Sequence, residues 1–221
     1  MIDVVVFAAP GRVDAHSRSF PSIEASDIGK SYTISMHKSG VDKNDHWRQT
    51  HELAATARSE FVLVLEDDVL VNRYILENIE SWRWKHSRDF GAGWVYNPGG
   101  YSQKDAWYSG VRPWAMTPGV VYKTSELPRL IALAWQQMTA PKPMPWDCAI
   151  AWAATEGGKR IRVHYPSLVE HLNDSKSVLG NDNRSVQRTS RGTFDPDWRR
   201  PKDDAHGVLD RFGRRVNPDQ R

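Results

Sequence analysis

The sequence predicts an α/β fold in which a mostly parallel central sheet is flanked by helices and followed by an irregular C-terminal tail. Apolar runs alternate with amphipathic segments near the start of the chain, which is typical of parallel strands connected by helices. Residues 61–65 are five consecutive apolar side chains, and such a run predicts a strand buried on both faces. Periodicity fades beyond Asn173. We therefore expect one domain over residues 1–172 and a basic, irregular extension over residues 173–221.

The first half of the chain contains three predicted strand–helix pairs. β-branched and aromatic residues predict strands at residues 4–7, 32–36 and 61–65. Apolar spacing predicts helices at residues 17–28, 45–58 and 73–86. Asp45 and Asn72 are suited to cap the second and third helices, whereas Pro21 weakens the first. Ligands of such sheets bind at the carboxyl ends of the strands. The candidate site segments are therefore residues 10–12, 37–39 and 66–68.

The second half of the chain continues the alternation less regularly. Strands are predicted at residues 120–122 and 160–165. Helices are predicted at residues 125–138 and 146–155, and the proline-rich segment between them predicts a stiff linker. Residues 97–113 are rich in turn formers. Aromatic side chains in or beside this stretch either stack on a sugar or base or pack in the core, and they are Trp94, Trp107, Tyr108 and Trp114.

The composition is that of a globular protein with an unevenly placed charge. Hydrophobic residues make up 39% of the chain, which suffices for a core. Residues 1–172 hold 19 basic and 19 acidic side chains, so the net charge of +3 arises from residues 173–221. The sequence lacks both a run of ~18 apolar residues and a basic leader before an apolar segment, so we expect neither a membrane span nor a signal peptide. Cys148 is the lone cysteine, and the sequence predicts a cytoplasmic protein.

Glu66, Asp67 and Asp68 place three carboxylates directly after the most apolar strand. Buried carboxylates that stand together repel each other unless a cation lies among them. Mn²⁺ and Mg²⁺ bind carboxylate oxygens and share their other positions with phosphate oxygens. The alternative is an acidic turn in which Asp67 or Asp68 caps the next helix. Because the triplet ends a buried strand of an α/β pattern, we prefer the metal site.

Residues 61–72, FVLVLEDDVLVN, resemble the metal-binding segment of glycosyltransferases with the GT-A fold. The likeness is closest to bacterial and phage members in which the usual Asp-x-Asp motif reads Glu-Asp-Asp. The resemblance implies that Asp68 ligates Mn²⁺ or Mg²⁺, while Glu66 and Asp67 lie against the ribose and diphosphate of the donor. It extends over residues 2–172 as ordered landmarks. It implies a hexosyltransferase that uses a nucleotide diphosphate sugar, such as a UDP-sugar.

Further landmarks of that family are implied to contact the donor. Residues 4–12, VVVFAAPGR, resemble the first strand and the turn that holds the nucleotide. Residues 44–57 stand where the family has a helix facing the donor. Residues 117–127 resemble a Gly-x-x-x-Tyr-x-x-Ser segment whose glycine lets the backbone approach the sugar. Ordinary turns and a solvated helix face are the structural alternatives. The donor-binding candidates, including one after the second strand, are Pro10, Gly11, Arg12, His37, Asn44, Arg48 and Gly119.

Two landmarks in the last part of the domain supply a catalytic and a metal-binding candidate. Asp147, in MPWDCAIAW, matches the acidic residue that serves as the base in inverting members of the family. Its alternative role is a first-turn carboxylate that is favourable against the helix dipole. His171 matches a histidine that completes the metal shell after the last strand, and His164 is the alternative ligand. Glu170 stands where the family commonly has Gln.

The acceptor and the reaction class leave alternatives open. The compact chain looks like phage enzymes that glycosylate hydroxymethylated pyrimidines in DNA, and a surface polysaccharide or a protein is the alternative acceptor. A nucleotidyltransferase usually has a glycine-rich phosphate loop, of which AAPGRVDAHSR is a poor version. A non-catalytic nucleic-acid-binding protein explains the basic tail but not the acidic cluster. The tail arginines that are candidates to contact phosphates are Arg184, Arg188, Arg191, Arg199 and Arg200.

Overall fold

The most apolar segments of the chain form the strands of a central sheet. The structure is a computed structural model, and it describes residues 1–97, 106–108, 117–172, 193–200, 208–209 and 215–216. Within these residues the strands, in chain order, are β1 (Ile2–Ala8), β2 (Thr33–Met36), β3 (Phe61–Glu66), β4 (Val69–Val71), β5 (Phe90–Trp94), β6 (Ala106–Tyr108), β7 (Gly119–Lys123), β8 (Arg160–Val163), β9 (Val169–His171), β10 (Val208–Leu209) and β11 (Arg215–Val216).

The central sheet has the strand order β2-β1-β3-β7-β5-β8-β6. β2, β1 and β3 are parallel neighbours, and so are β5 and β8. β7 lies between β3 and β5 and is antiparallel to both, while β6 is antiparallel to β8. Among the described strands of this sheet, only β6 and β7 run against the rest, which confirms the predicted mostly parallel sheet. β4 and β9 form a separate antiparallel pair, as do β10 and β11.

Successive side chains of β3 alternate between two apolar clusters, one on each face of the sheet. Val62 and Val64 belong to one cluster, and the other three apolar residues of the strand belong to the second. All five are at most 5% exposed, so the prediction of a strand buried on both faces is confirmed. Burial of each such side chain contributes about 1.5–3 kcal/mol to the stability of the fold.

Helices cover both faces of the sheet. Within the described residues they are α1 (Val13–Ala25), α2 (Lys43–Ala54), α3 (Ile75–Glu80), α4 (Leu127–Met138) and α5 (Trp146–Thr155). α2, α4 and α5 contribute buried residues to the cluster around Val64, while α1 and α3 contribute to the cluster around Leu63. None of the helices in the described ranges has the length and apolar character needed to cross a bilayer.

The first two helices begin earlier than the sequence predicts. α1 begins at Val13, directly after the turn at Gly11, and it continues through Pro21. Proline inside a helix removes one backbone hydrogen bond, and the buried apolar face of α1 tolerates that loss. α2 begins at Lys43, because the side chain of Asp42, and not that of Asp45, caps it by accepting a hydrogen bond of 2.7 Å from the backbone N–H of Asn44.

The segment after β3 differs most from its prediction. A single helix is predicted over residues 73–86, but the chain forms the short α3 and then a separate 3₁₀ turn at Arg83–His86. The helix ends at Glu80 because Trp82 leaves helical geometry, with ψ of 96°, and is fully buried. Burying a large aromatic ring stabilises the fold more than two further turns of exposed helix would.

Residues 193–200 pack on the domain, although the sequence predicts an irregular tail from residue 173. The side-chain amide of Asn72 donates to the carbonyl oxygens of Asp195 at 2.7 Å and of Trp198 at 2.9 Å. The side-chain oxygen of Asn78 accepts a hydrogen bond of 2.9 Å from the backbone of Arg200. Both asparagine side chains are fully buried. The packed body therefore continues past residue 172 with this irregular stretch.

Candidate functional site

The acidic cluster lies at the carboxyl ends of β1 and β3. Glu66 is the last residue of β3, and Asp67 and Asp68 form the connection to β4. β1 and β3 are parallel neighbours with Phe7 opposite Glu66. The turn at residues 10–12 therefore follows β1 directly beside the cluster, and two of the predicted site segments come together.

Asp67 connects the two strand ends. Its Oδ2 atom accepts hydrogen bonds from the backbone N–H of Ala9 at 2.8 Å and from Nε2 of His16 at 2.7 Å. Its Oδ1 atom lies 2.6 Å from NH1 of Arg12. The side chain is 1% exposed, and both of its oxygens accept hydrogen bonds from within the protein. Asp67 thus holds the turn between β1 and α1 in place.

The pairing of β4 with β9 brings His171 to Asp68. The two strands are antiparallel with Val69 opposite His171, and the backbone N–H of Leu172 donates to the carbonyl oxygen of Asp68 at 2.8 Å. Nε2 of His171 lies 3.3 Å from Oδ2 of Asp68, and both side chains are buried. The structure therefore brings the two predicted metal ligands together from segments far apart in the chain.

Arg12 contacts the same oxygen of Asp68. Its NH2 group pairs with Oδ2 of Asp68. Gly11 precedes it with φ of 80°, a left-handed conformation that glycine adopts without strain. Burial opposes ionisation of Asp68, but the hydrogen bond and charge of His171 and the charge of Arg12 outweigh it, so the pKa of Asp68 is lowered. Asp68 is therefore ionised at neutral pH.

Glu66 has the opposite electrostatic environment. Its Oε1 atom accepts a hydrogen bond of 3.1 Å from the hydroxyl of Thr117. Burial and then the negative charge of Asp68 raise the pKa of Glu66 above its ordinary value. A divalent ion among these carboxylates would stabilise the ionised form of Glu66 and reverse that shift.

Glu66, Asp68 and His171 fit a divalent metal ion. One ligand atom from each lies within 4.8 Å of the others. Two carboxylates suit Mn²⁺ and Mg²⁺, and the imidazole suits Mn²⁺ better because Mg²⁺ prefers oxygen ligands throughout. The positively charged guanidinium of Arg12 lies beside these three side chains and pairs with Asp68. Glu66 thus joins the candidate ligands, whereas the resemblance implies a donor contact for it.

A small aromatic hollow adjoins the acidic cluster. Its wall includes Glu66 from β3, His51 from α2, Tyr122 from β7 and Trp146 from α5. Trp146 begins α5, and Asp147 follows it in the first turn, half-buried, with Oδ1 accepting a hydrogen bond of 2.8 Å from the next backbone N–H. Asp147, the predicted catalytic base, therefore directly follows Trp146, and Trp146 lines the hollow together with Glu66.

His51 is uncharged in this hollow at neutral pH. Burial lowers the pKa of His51 to about 4. Its Nδ1 atom donates to the carbonyl oxygen of Trp47 at 3.0 Å, and the hydroxyl of Tyr122 lies 3.4 Å from Nε2. Burial also raises the pKa of Tyr122, so this side chain keeps its proton. The part of the wall formed by His51, Tyr122 and Trp146 is therefore aromatic and uncharged.

Three donor-binding candidates lie on or before α2. His37 follows β2, and its ring centroid is 4.9 Å from that of His46. Asn44 lies partly exposed in the first turn of the helix. The guanidinium of Arg48 lies 4.7 Å from the ring centroid of Trp135, so Arg48 packs against α4. Its contact with the donor stays a prediction, as does that of the other two.

Gly119 serves the packing of the core. A Cβ atom at this position would lie 2.7 Å from Cγ2 of Val95 and 3.2 Å from Cδ2 of Leu65. These contacts by themselves explain why a side chain is excluded, and an approach of the sugar to Gly119 stays a prediction. Pro10 and Gly11, by contrast, are exposed in the turn beside the cluster.

Some of the other aromatic and histidine candidates lie in the core, and the rest have side chains outside the described residues. Trp94 is 4% exposed and belongs to the core of the sheet. His164, the alternative metal ligand, is fully buried between the rings of Trp82 and Trp198 at centroid distances of 5.2 and 5.6 Å. We therefore assign His164 to the core. Positions whose side chains lie outside the described residues are Trp107, Tyr108 and Trp114.

The sequence interpretation missed two histidines of the site, His16 and His46. His16 lies four residues after Arg12, and this spacing of one helical turn is the signal that could have linked both to one carboxylate. His46 is 2% exposed, stacks on Phe7 at 4.4 Å and contacts the carbonyl oxygen of Ser35 through Nε2 at 3.0 Å. No local pattern marks His46, because its role follows from the packing of α2 on β1.

No protein-family model matches the sequence, and no curated protein matches it at a significant level. Among solved structures, S. aureus TarS is similar with a TM-score of 0.50 at 12% identity, over 74% of this chain and 35% of that chain. Residues 1–349 of S. aureus TarS in complex with UDP are similar with a TM-score of 0.45 at 11% identity, over 75% of this chain and 61% of that chain.

A glycosyltransferase involved in the glycosylation of the major capsid of PBCV-1 is similar with a TM-score of 0.49 at 13% identity, over 79% of this chain and 94% of that chain. This chain spans about a third of the length of TarS. At this level of identity the likeness to TarS concerns the fold alone. It agrees with the predicted GT-A type of α/β fold.

Proposed function

We propose that this chain is a metal-dependent glycosyltransferase that moves a sugar from a nucleotide diphosphate sugar to an acceptor hydroxyl. One observation carries the proposal: Glu66, Asp68 and His171 converge with ligand atoms within 4.8 Å of one another. They do so at the carboxyl ends of parallel strands, where α/β sheets bind their ligands. Two buried carboxylates this close need a positive partner. Arg12 supplies one for Asp68 in the structure, and a divalent ion would supply one for Glu66 and Asp68 together.

The three side chains have distinct parts in holding the ion. When bound, a divalent ion neutralises the charge that develops on the departing diphosphate. Asp68, whose pKa is lowered, is already ionised for binding. His171 would supply an imidazole nitrogen, and its Nε2 atom is the one that faces Asp68. Glu66 would supply a second carboxylate to such an ion.

The nucleotide of the donor lies along the turn formed by Pro10, Gly11 and Arg12. Within the described residues nothing approaches the Cβ position of Gly11 within 4 Å, so a ribose has room there. Asp67 keeps this turn in place through its bond to the backbone of Ala9. TarS, which is similar in fold, was crystallised in complex with UDP. We therefore take UDP-sugars as the first donors to test, with His37, Asn44 and Arg48 as further contacts.

Asp147 is the proposed base. It takes the proton of the acceptor hydroxyl while the hydroxyl oxygen forms a bond to the anomeric carbon. The bond between that carbon and the diphosphate oxygen breaks, and the diphosphate leaves with the electron pair. Asp147 lies in the first turn of α5, where its Oδ1 atom accepts a hydrogen bond from the backbone N–H of Cys148.

DNA is the acceptor that we would test first, because the positive charge of the chain is concentrated after residue 172. In the structure two of the tail arginines already have partners on the domain, so less positive charge is available to contact phosphates. Arg199 pairs with Glu77 at 2.7 Å, and the backbone and side chain of Arg200 contact Asn78 and His164. The other arginines of the tail, Arg184, Arg188 and Arg191, lie outside the described residues. A protein or polysaccharide hydroxyl is the competing acceptor.

The testing experiment is a thermal-shift panel with Mn²⁺ and nucleoside diphosphate sugars. A ligand of the native state raises the melting temperature by mass action. We expect one nucleotide sugar to raise it, EDTA to abolish the rise, and Asp68→Asn to abolish both the rise and sugar transfer. Asp197→Asn, which removes an exposed carboxylate paired with Arg73, is the matched control and should behave as wild type.

Two outcomes would contradict the proposal. A rise with nucleoside triphosphates and none with nucleotide sugars would indicate a nucleotidyltransferase. A rise with DNA that is insensitive to EDTA and to Asp68→Asn would indicate a nucleic-acid-binding protein without this site. Full transfer activity in Asp68→Asn would remove the metal from the mechanism.

A further inference from the structure

Arg12 is bound to two carboxylates of the acidic cluster at once. NH1 lies 2.6 Å from Oδ1 of Asp67, and NH2 pairs with Oδ2 of Asp68. The side chain of Arg12 is 12% exposed, and those of the two aspartates are 1% and 5% exposed. A planar guanidinium bridging two buried carboxylates neutralises charge that is otherwise costly to bury.

The two carboxylates that Arg12 contacts differ in their other hydrogen-bond partners. Asp67 is also held by the backbone N–H of Ala9 and by His16, so it keeps hydrogen-bond donors if Arg12 moves. Asp68 is different, because Arg12 and His171 converge on the same oxygen, Oδ2. That oxygen and that imidazole belong to the candidate metal ligands.

A guanidinium and a divalent ion compete at Asp68. Both are cations, both need the same carboxylate, and like charges held a few ångströms apart in a buried site repel each other strongly. Within the described residues His171 also faces Oδ2, and a bound ion would take the place that the guanidinium of Arg12 holds there.

We propose that Arg12 is an exchangeable internal cation, which neutralises Asp68 in the metal-free protein and is released from Asp68 when a divalent ion binds. This inference rests on the proposed function. The released NH2 group stays near the cluster, because NH1 keeps its contact with Asp67. It then faces the position proposed for the diphosphate, whose oxygens suit a guanidinium. Arg12 thus makes the ion and the diphosphate bind more tightly together than either binds alone, and this coupling is reciprocal.

The test is the affinity for Mn²⁺ alone, measured by titration calorimetry or by the electron paramagnetic resonance of free Mn²⁺, without any nucleotide. We expect Arg12→Gln to bind Mn²⁺ about tenfold more tightly than wild type, a size typical of coupling between two sites. Arg12→Lys keeps the charge but cannot bridge both carboxylates, and it should lie between the two. Arg129→Gln, which removes an exposed arginine paired with Glu126 on α4, is the control and should match wild type.

A second readout separates exchange from simple loss of structure. Metal-free Arg12→Gln should melt at a lower temperature than wild type, because Asp68 has lost a cationic partner, and saturating Mn²⁺ should raise its melting temperature by more than it raises that of wild type. If Arg12→Gln fails to fold, Arg12→Lys carries the same comparison with a smaller expected difference.

Unchanged or weaker Mn²⁺ affinity in the folded variants would overturn the inference, and so would a wild type that binds no Mn²⁺. Failure of the nucleotide-sugar part of the proposed function looks different, because it leaves the Mn²⁺ comparison intact. In that case Arg12→Gln still binds Mn²⁺ more tightly, but UDP does not strengthen Mn²⁺ binding to wild type and no nucleotide sugar supports transfer.

Discussion

Nε2 of His171 lies 3.3 Å from Oδ2 of Asp68 because β4 and β9 pair with Val69 opposite His171. Two short strands thus define the distance between the candidate metal ligands. Each strand has three residues, and the pair lies outside the central sheet. The backbone hydrogen bond from Leu172 to Asp68 continues the pairing past β9 and holds the two side chains face to face.

Replacement of His171 should weaken metal binding without unfolding the domain. We expect His171→Ala to raise the dissociation constant for Mn²⁺ by at least about tenfold, because one of three protein ligands is lost. His86→Ala, which removes a histidine from the 3₁₀ turn at Arg83–His86, is the control. Titration with Mn²⁺ at fixed pH measures the change. Equal affinity in His171→Ala and wild type would remove this histidine from the site.

Asp147 should act on the chemical step alone. We expect Asp147→Asn to lower kcat by about 10²–10⁴-fold, the range of general-base catalysis, while the affinity for Mn²⁺ and for the donor stays that of wild type. Glu126→Gln changes a comparable carboxylate directly before α4 and serves as the control. Steady-state transfer assays and Mn²⁺ titrations measure both effects. A variant with wild-type kcat, or one that loses Mn²⁺ affinity in parallel with kcat, would contradict the role of a base.

Burial of His51 should make the domain less stable in mild acid. Its folded pKa is lowered to about 4 from the ordinary value of 6.5, so between these values the unfolded chain binds a proton that the folded chain excludes. Stability contributed by neutral His51 is therefore complete above about pH 6.5 and falls as the pH drops toward 4, by up to about 3 kcal/mol. His51→Gln should flatten this part of the profile.

Urea unfolding at a series of pH values measures the effect. Burial also lowers the pKa of His46, which adds a slope of the same sign that remains in the variant. A parallel pH profile for wild type and His51→Gln would show that His51 does not govern the acid sensitivity.

Loss of Asn72 should release the segment 193–200. Its fully buried side chain donates to the carbonyl oxygens of Asp195 and Trp198 and accepts from the backbone of Tyr74 and from Asn78. Removing one partner leaves buried groups unsatisfied at about 1–3 kcal/mol each. We therefore expect Asn72→Ala to lower the free energy of unfolding by about that amount or more.

Hydrogen exchange distinguishes this release from a general loss of stability. The backbone N–H of Arg200, which donates to Asn78, should exchange faster in Asn72→Ala than in wild type, while β3 stays protected. Gln49→Ala on the exposed face of α2 is the control. Unchanged exchange in the 193–200 segment would mean that the segment is held by other contacts.

Much of the fold follows from local patterns in the chain. The five predicted strands are all strands in the structure, and α5 has its predicted bounds of Trp146–Thr155. These elements are predictable because burial on one or two faces imposes a period on the residues that form them. β5 is rich in glycine and has no such period, so the sequence does not predict it. Its glycines are needed because a Cβ atom in this strand would clash with Ala154 or Trp82.

The candidate site divides in the same way. The sequence by itself indicated that the acidic cluster is a site, because three adjacent carboxylates after a buried strand repel each other unless a cation lies among them. The resemblance, and not any periodicity, indicated His171. Only the tertiary structure decided that β7 runs antiparallel between β3 and β5. It also decided that His171 and Arg12 share one oxygen of Asp68. Such contacts join residues far apart in the chain, so they depend on strand pairing and packing that no local pattern encodes.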